Sequence, residues 1–145
     1  MFDICIIGGG ASGMAAAITA AEADPDLNIL ILEKKEKMGR KIIVSGNGRC
    51  NLSNTACRNY DDTEKFFKHL GLPVRSDSDG RVYPYTEESR AVYEALKGKM
   101  ELLKVNVFTD SEVTAVERAE ETSSSYFHIF TRDKKYSAKK ILLAT

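Results

Sequence analysis

The chain carries no excess charge of either sign: 21 lysines and arginines balance 21 aspartates and glutamates. A zero balance removes any general electrostatic drive towards nucleic acid or an anionic membrane, so neither is expected as a partner. No apolar run approaches the roughly 20 residues that cross a bilayer. The start lacks a basic segment and carries Asp3 early, so no signal peptide is expected. Cysteine is scarce, with three residues and no framework spacing. That argues against a disulfide scaffold and for a reducing compartment, the cytoplasm by default. No His/Cys/Asp spacing makes a metal site, and no G-x-S-x-G nucleophile turn occurs. What remains is 145 residues, 43% hydrophobic and 29% charged. Such a chain fits one soluble globular domain with a real core.

The most informative stretch is the start. Residues 2–7 form a short apolar run with three isoleucines and read as a buried strand. Gly8, Gly10 and Gly13 then give G-x-G-x-x-G, with Ala11 and Ser12 between the last two. An alanine-rich helix follows. A second apolar run, residues 29–32, ends at Glu33, about 20 positions beyond the last glycine. Strand, glycine turn, helix, strand and acid together make the dinucleotide-binding βαβ unit.

Each part has a physical task. Gly8 lets the backbone turn sharply, Gly10 clears a path for a pyrophosphate, and Gly13 lets helix and sheet approach. The helix start offers unpaired N–H groups and partial positive charge to a diphosphate. Glu33 can accept hydrogen bonds from an adenosine ribose and repels a 2′-phosphate, so FAD or NAD fits better than NADP there. Lys34 is the adjacent cation.

Residues 38–54, MGRKIIVSGNGRCNLSN, form a second glycine-rich stretch. Gly39, Gly46 and Gly48 break regular structure, while Ser45, Asn47, Asn51, Ser53 and Asn54 are polar. Arg40, Lys41 and Arg49 make the stretch cationic and suited to a diphosphate. A Gly/Asn turn cluster with incidental charge is the alternative. Cys50 lies beside Arg49, which can lower a thiol pKa. Cys57 is too distant for C-x-x-C, and a packed, loop-shaping Cys50 is the preferred reading.

Further on, residues 61–70 read as a short helix ended by Gly71 and Pro73, with His69 a surface residue rather than a ligand. Residues 80–84 are a short extended piece, with Arg81 and Tyr83 weak candidates. Its alternative is a hairpin whose aromatic covers the core. Residues 90–103 read as a helix, with Val92, Leu96 and Met100 on one face and Ser89 as cap. Residues 105–109 are a third parallel strand. Residues 112–117, 125–131 and 135–138 read as an antiparallel meander, with turns at Ser123–Ser125 and Asp133–Lys135. Residues 140–145 read as a central strand buried on both faces from Ile141 to Ala144. The expected sheet order is 105-strand, 29-strand, 2-strand, 141-strand, with the meander on one face. The fold class is α/β: a Rossmann-like parallel sheet with an antiparallel β-meander crossover.

GGGASG, the acid, and GRKIIVSGNGRCNLSN together resemble the BaiN-like family of bacterial FAD-dependent oxidoreductases. Its pattern runs close to G-R-K-(apolar)₃-S-G-G-G-R-C-N. Asn47 stands where the family has its middle glycine, and Asn tolerates a positive φ. The final Ala144-Thr145 resembles the ATG segment of two-dinucleotide-domain flavoproteins. The resemblance implies the glutathione-reductase-like fold, a tightly bound FAD, an oxidoreductase activity, and an adenine contact from the backbone of Val113. It covers this whole chain but only the first part of the family's length. Residues 1–145 are therefore expected to be the FAD-binding domain at the N-terminal end of a longer protein. By this reading the substrate domain and a second flavin-contacting segment lie downstream.

Three function classes follow: an FAD-dependent oxidoreductase drawing on NAD(P)H, an NAD-dependent dehydrogenase, and a non-catalytic nucleotide- or RNA-binding module. The meander and the cationic stretch favour the first, because the simpler NAD fold continues with βαβ repeats. No residue is identified as catalytic.

Overall fold

A computed structural model describes residues 1–121 and 124–145. In chain order the elements are β1 (Phe2–Ile7), α1 (Ala11–Ala23), β2 (Ile29–Leu32), α2 (Arg40–Val44) and β3 (Ser53–Asn54). Then come α3 (Tyr60–His69), β4 (Val74–Ser76), β5 (Arg81–Pro84), α4 (Ser89–Leu102) and β6 (Asn106–Phe108). The last three are β7 (Val113–Glu121), β8 (Ser124–Thr131) and β9 (Lys135–Leu143). They fall into two compact units, Met1–Met38 with Met100–Thr145, and Gly39–Lys99. No helix among the described residues is long and apolar enough to cross a membrane.

The first unit is built on a six-stranded sheet of order β6-β2-β1-β9-β8-β7. Its parallel part, β6-β2-β1-β9, has the order expected from the sequence. Every residue of β2 is buried, which is why ILIL shows no polar alternation. One face of β1 and β2 presents Cys5, Ile7, Leu30 and Leu32, which share a core cluster with Ile129 and Ala138. The meander expected on one face of the sheet is not there; instead β9, β8 and β7 are paired into the sheet as its edge, while Ile129 of β8 shares the core cluster of this face. On the other face lies α1, with Met14, Ala17, Ile18 and Ala21 buried. Burying Met14 or Ile18 stabilises the fold by about 1.5–3 kcal/mol each, and each alanine methyl by less.

Two further expectations fail in this unit. Residues 135–138 and 140–145 are not separate pieces; β9 is one strand that pairs with β8 up to Ala138 and with β1 as far as Leu143. Lys139 and Lys140 looked like an interruption, but Lys139 projects to an ion pair with Asp3 at 2.7 Å. Nor is the apolar end of β9 buried on both faces: Leu142 is 41% and Leu143 71% exposed. Pairing with β8 stops at Ala138, so beyond it that edge of β9 meets no strand among the described residues. Of the expected turn at Ser123–Ser125, Ser124 and Ser125 belong to β8 and Ser123 lies outside the described residues.

The second unit holds a small antiparallel sheet of order β3-β5-β4. Its β4–β5 hairpin buries Val82 and Tyr83, so the aromatic covers a core as the alternative reading had it. The end of α3 is turned by Gly71 at φ 75°. Along α4, Val92, Leu96 and Met100 are buried, as their spacing predicts. Ser89 does not act as the expected side-chain cap: its hydroxyl donates to the Ile43 carbonyl at 2.8 Å.

Candidate functional site

In the first unit the three fingerprint glycines meet different surroundings. Gly8 has φ +112°, and a Cβ there would lie 2.5 Å from the Ala144 carbonyl oxygen. A Cβ on Gly13 would lie 2.0 Å from the Gly8 oxygen. Both are required by the protein's own packing. A Cβ on Gly10 would meet nothing within 4 Å, and Gly10 has an ordinary extended backbone. Gly10 is the N-cap of α1, no side chain caps that end, and the first turn holds no acid. Ala11 and Ser12 are exposed there. The open end of a 13-residue helix therefore points its first amides into free space.

Glu33 follows β2 and is half-buried. Its Oε2 accepts the Gly9 N–H and its Oε1 the Lys35 N–H, both at 2.8 Å. Its main-chain N–H donates to Phe108, and its carbonyl accepts from Ser111, each at 2.9 Å. Every carboxylate oxygen keeps a second lone pair for a ligand hydroxyl. Lys34 is exposed. Ala144 donates to the Ile7 carbonyl at 2.8 Å, which carries the β1–β9 pairing up to Gly8. Thr145 follows, exposed. Val113 opens β7 opposite Thr131, immediately before a register shift, and packs on the core cluster. Sequence reasoning missed Gly9, where a Cβ would lie 2.7 Å from Met38 Cγ and 3.2 Å from Glu33. The run of three glycines was the available signal. Phe108 and Ser111 left none, because main-chain contacts carry no side-chain signature.

The second glycine-rich stretch is not the continuous loop expected. Arg40, Lys41 and the next three residues form α2, and Ser45–Gly48 is a tight turn through left-handed residues. α2 forms although the β-branched triplet IIV has low helix propensity; it follows left-handed Gly39 (φ 65°) and buries Ile42. Gly46 (φ 56°), Asn47 (φ 56°, ψ 40°), Gly48 (φ 82°) and Cys50 (φ 58°) are left-handed. Asn47 thus adopts the positive φ expected of it. The Ser45 hydroxyl donates to the Ile42 carbonyl at 3.0 Å. Arg40, Lys41, Asn47, Gly48 and Asn51 are exposed. Arg49 lies over the Tyr83 ring, 4.4 Å from its centroid, and 3.9 Å from Glu87, which also pairs with Arg75. Its charge is therefore partly engaged within the protein.

Arg49 does not depress the Cys50 thiol. Burial pushes that thiol up, opposed only by a hydrogen bond with Ser45. Cys50 is 6% exposed, a packed neutral thiol at a backbone corner. Cys5 is pushed up to about 12 by burial in β1. Arg81 pairs with Asp79 at 3.1 Å and Asp77 at 3.8 Å, and Tyr83 is buried beneath Arg49; both weak candidates have structural work.

A family model described as "HI0933-like protein Rossmann domain" matches residues 2–145. Among curated proteins, the chain is 38% identical to 3-dehydro-bile acid delta(4,6)-reductase of Clostridium scindens, over 99% of this chain and 39% of that protein. It is 45% identical to ribosomal RNA dihydrouridine synthase of Escherichia coli over 53 residues, 37% of this chain and 13% of that protein. Among solved structures, Thermovibrio ammonificans THI4 has a TM-score of 0.74 at 14% identity, over 99% of this chain and 57% of that one. That last likeness is one of fold alone. The chain spans well under half the length of either curated relative. Its α/β sheet, glycine turn and full-length family match lead to one conclusion: the chain belongs to the HI0933-like Rossmann domain family.

Proposed function

We propose that the chain is the FAD-binding portion of a flavin-dependent oxidoreductase that passes hydride between NAD(P)H and a small organic acceptor. The observation that carries the reading is the contrast among the glycines. Packing accounts for Gly8 and Gly13, whereas among the described residues nothing lies within 4 Å of a Cβ on Gly10, which leaves the space in front of it open to a ligand. That ligand faces an uncapped helix N-terminus, which favours a diphosphate. Glu33 keeps lone pairs for ribose hydroxyls. These features fit the adenosine diphosphate half of FAD.

In this reading Gly10, Ala11, Ser12 and Gly13 hold the diphosphate, and Glu33 orients the ribose. Val113 offers backbone groups to the adenine, and Ala144 and Thr145 border the turn. From the second unit, Arg40, Lys41, Ser45, Gly46, Asn47, Gly48, Arg49, Cys50 and Asn51 are carried as cofactor candidates by the family resemblance, with Lys34 beside Glu33. FAD, when bound, supplies the hydride chemistry, and the protein supplies binding and orientation. The 38% relative, named as a bile-acid reductase, supports a small organic acceptor. The 53-residue match to an RNA dihydrouridine synthase favours a second reading, in which the acceptor is RNA.

The test is to titrate FAD and NAD separately into the chain, following flavin fluorescence and heat of binding. FAD binding with NAD inert supports the proposal. NAD binding with FAD inert would transfer the chain to the NAD-dependent dehydrogenases. In any longer natural form, mixing the reduced flavoprotein with a steroid enone or with ribosomal RNA separates the two acceptors.

A further inference from the structure

We infer that Glu33 is a positioning residue that locks the glycine turn to the segment between β6 and β7 before any nucleotide arrives. The inference rests on reading residues 8–13 as the nucleotide turn. All four polar elements of Glu33 are used. Its two carboxylate oxygens take the amides of Gly9 and Lys35, and its main chain exchanges hydrogen bonds with Phe108 and Ser111. One residue thus ties three stretches of chain at the C-terminal end of the sheet.

The physical need is clear from the run Gly8-Gly9-Gly10. Three consecutive glycines have the largest backbone freedom of any tripeptide, and ordering them on binding would cost affinity. The Gly9 amide is buried, so without a partner it would carry an unmet hydrogen bond. A carboxylate accepts two N–H groups at once, each through a charge-assisted bond. Glutamine cannot: it offers one oxygen and turns an NH₂ group towards the other amide. By pinning Gly9, Glu33 sets the direction of Gly10 and of the first amides of α1. The same residue holds Ser111, two positions before Val113.

The test is amide hydrogen exchange on the chain without nucleotide, for wild type, Glu33→Gln and Glu33→Ala, with FAD affinity measured in parallel. In Glu33→Ala, the Gly9 and Lys35 amides should both exchange about tenfold faster or more. In Glu33→Gln at least one of them should. The Gly8 amide, bonded to the Leu32 carbonyl, is the internal control. Faster exchange together with weaker FAD binding is the expected result; faster exchange with unchanged FAD affinity would overturn the positioning role, because freeing the three glycines must cost affinity, and would also remove Glu33 from the ribose site. Weaker FAD binding with unchanged exchange at both amides would overturn the positioning role and leave a ligand contact only. If Glu33→Ala does not fold, the near-isosteric Glu33→Gln decides.

Discussion

In residues 8–13, glycine is demanded by distance: at Gly8 and Gly13 an added methyl would run into backbone at 2.5 and 2.0 Å. In residues 39–51, Gly39, Gly46 and Gly48 are all at positive φ, and handedness is the sole demand only at Gly48, since a Cβ on Gly39 or Gly46 would also lie 2.6 Å from Tyr93 or 2.7 Å from the Asn51 amide nitrogen. The second demand can be met by other residues at a cost, and Asn47 and Cys50 meet it. The first cannot, because no side chain is smaller than hydrogen. The strand leading into the first stretch and the second stretch itself also bury thiols differently, Cys5 inside β1 and Cys50 at a left-handed corner. Glycine content alone therefore says little about which stretch is rigid through packing and which is shaped by turn conformation.

The comparison is broken most directly at Gly13. Gly13→Ala places its methyl on the Gly8 carbonyl and should lower stability by about 3 kcal/mol or more, read from urea unfolding. A loss below about 1 kcal/mol would mean that helix and turn move apart easily.

Alkaline pH comes next. The Cys5 thiol stays protonated in the fold up to about 12 and ionises near 9.0 when unfolded. Its raised folded value means that its contribution is fully present below pH 9 and is lost as pH rises towards 12. By pH 10.5 the loss should reach about 2 kcal/mol, and Cys5→Val should remove most of this slope. Cys50 is raised in the same direction, so iodoacetamide should label exposed Cys57 before Cys50, and Cys5 last.

At Gly46 handedness and distance act together, since a Cβ there would lie 2.7 Å from the Asn51 amide nitrogen. Gly46→Ala should cost about 1–2 kcal/mol in the same unfolding assay. Asn47→Gly relieves a left-handed side chain and should alter stability by no more than about 1 kcal/mol, in the stabilising direction. Clear destabilisation would show that the Asn47 side chain holds the turn by contacts of its own.

The smallest effect on stability is expected at Gly10. Gly10→Ala should leave the unfolding midpoint unchanged within about 0.5 kcal/mol. It should nevertheless weaken FAD at least tenfold, about 1.4 kcal/mol. Unchanged flavin affinity would mean that the space before Gly10 is not where the diphosphate lies.

Much of this was legible before any coordinates. Residues 2–7 and 29–32 declared themselves as strands through their apolar runs, while the strand expected at residues 105–109 forms at Asn106–Phe108 with both end residues exposed. The fingerprint glycines, Glu33 and the α4 stripe of Val92, Leu96 and Met100 followed from spacing. Asn47 was legible because few residues accept a left-handed backbone. Less legible were α2 within a glycine-rich stretch, and the continuity of β9 across Lys139 and Lys140. There an ion pair with Asp3 places a charge that looked like a break. The engagement of Arg49 by Tyr83 and Glu87 was invisible, since those partners lie far away in sequence.

Local chemistry by itself determined the βαβ start, the strands of the meander and the turn conformation at Asn47. Each depends on the period of apolar residues or on what a backbone angle permits, and both are written in neighbouring residues. Only the tertiary structure decided which glycines are sealed and which is open, and that Glu33 ties Gly9 to Phe108 and Ser111. It also decided that β9 loses its β8 neighbour after Ala138. Those outcomes depend on which atoms arrive from distant parts of the chain, and on the space they leave.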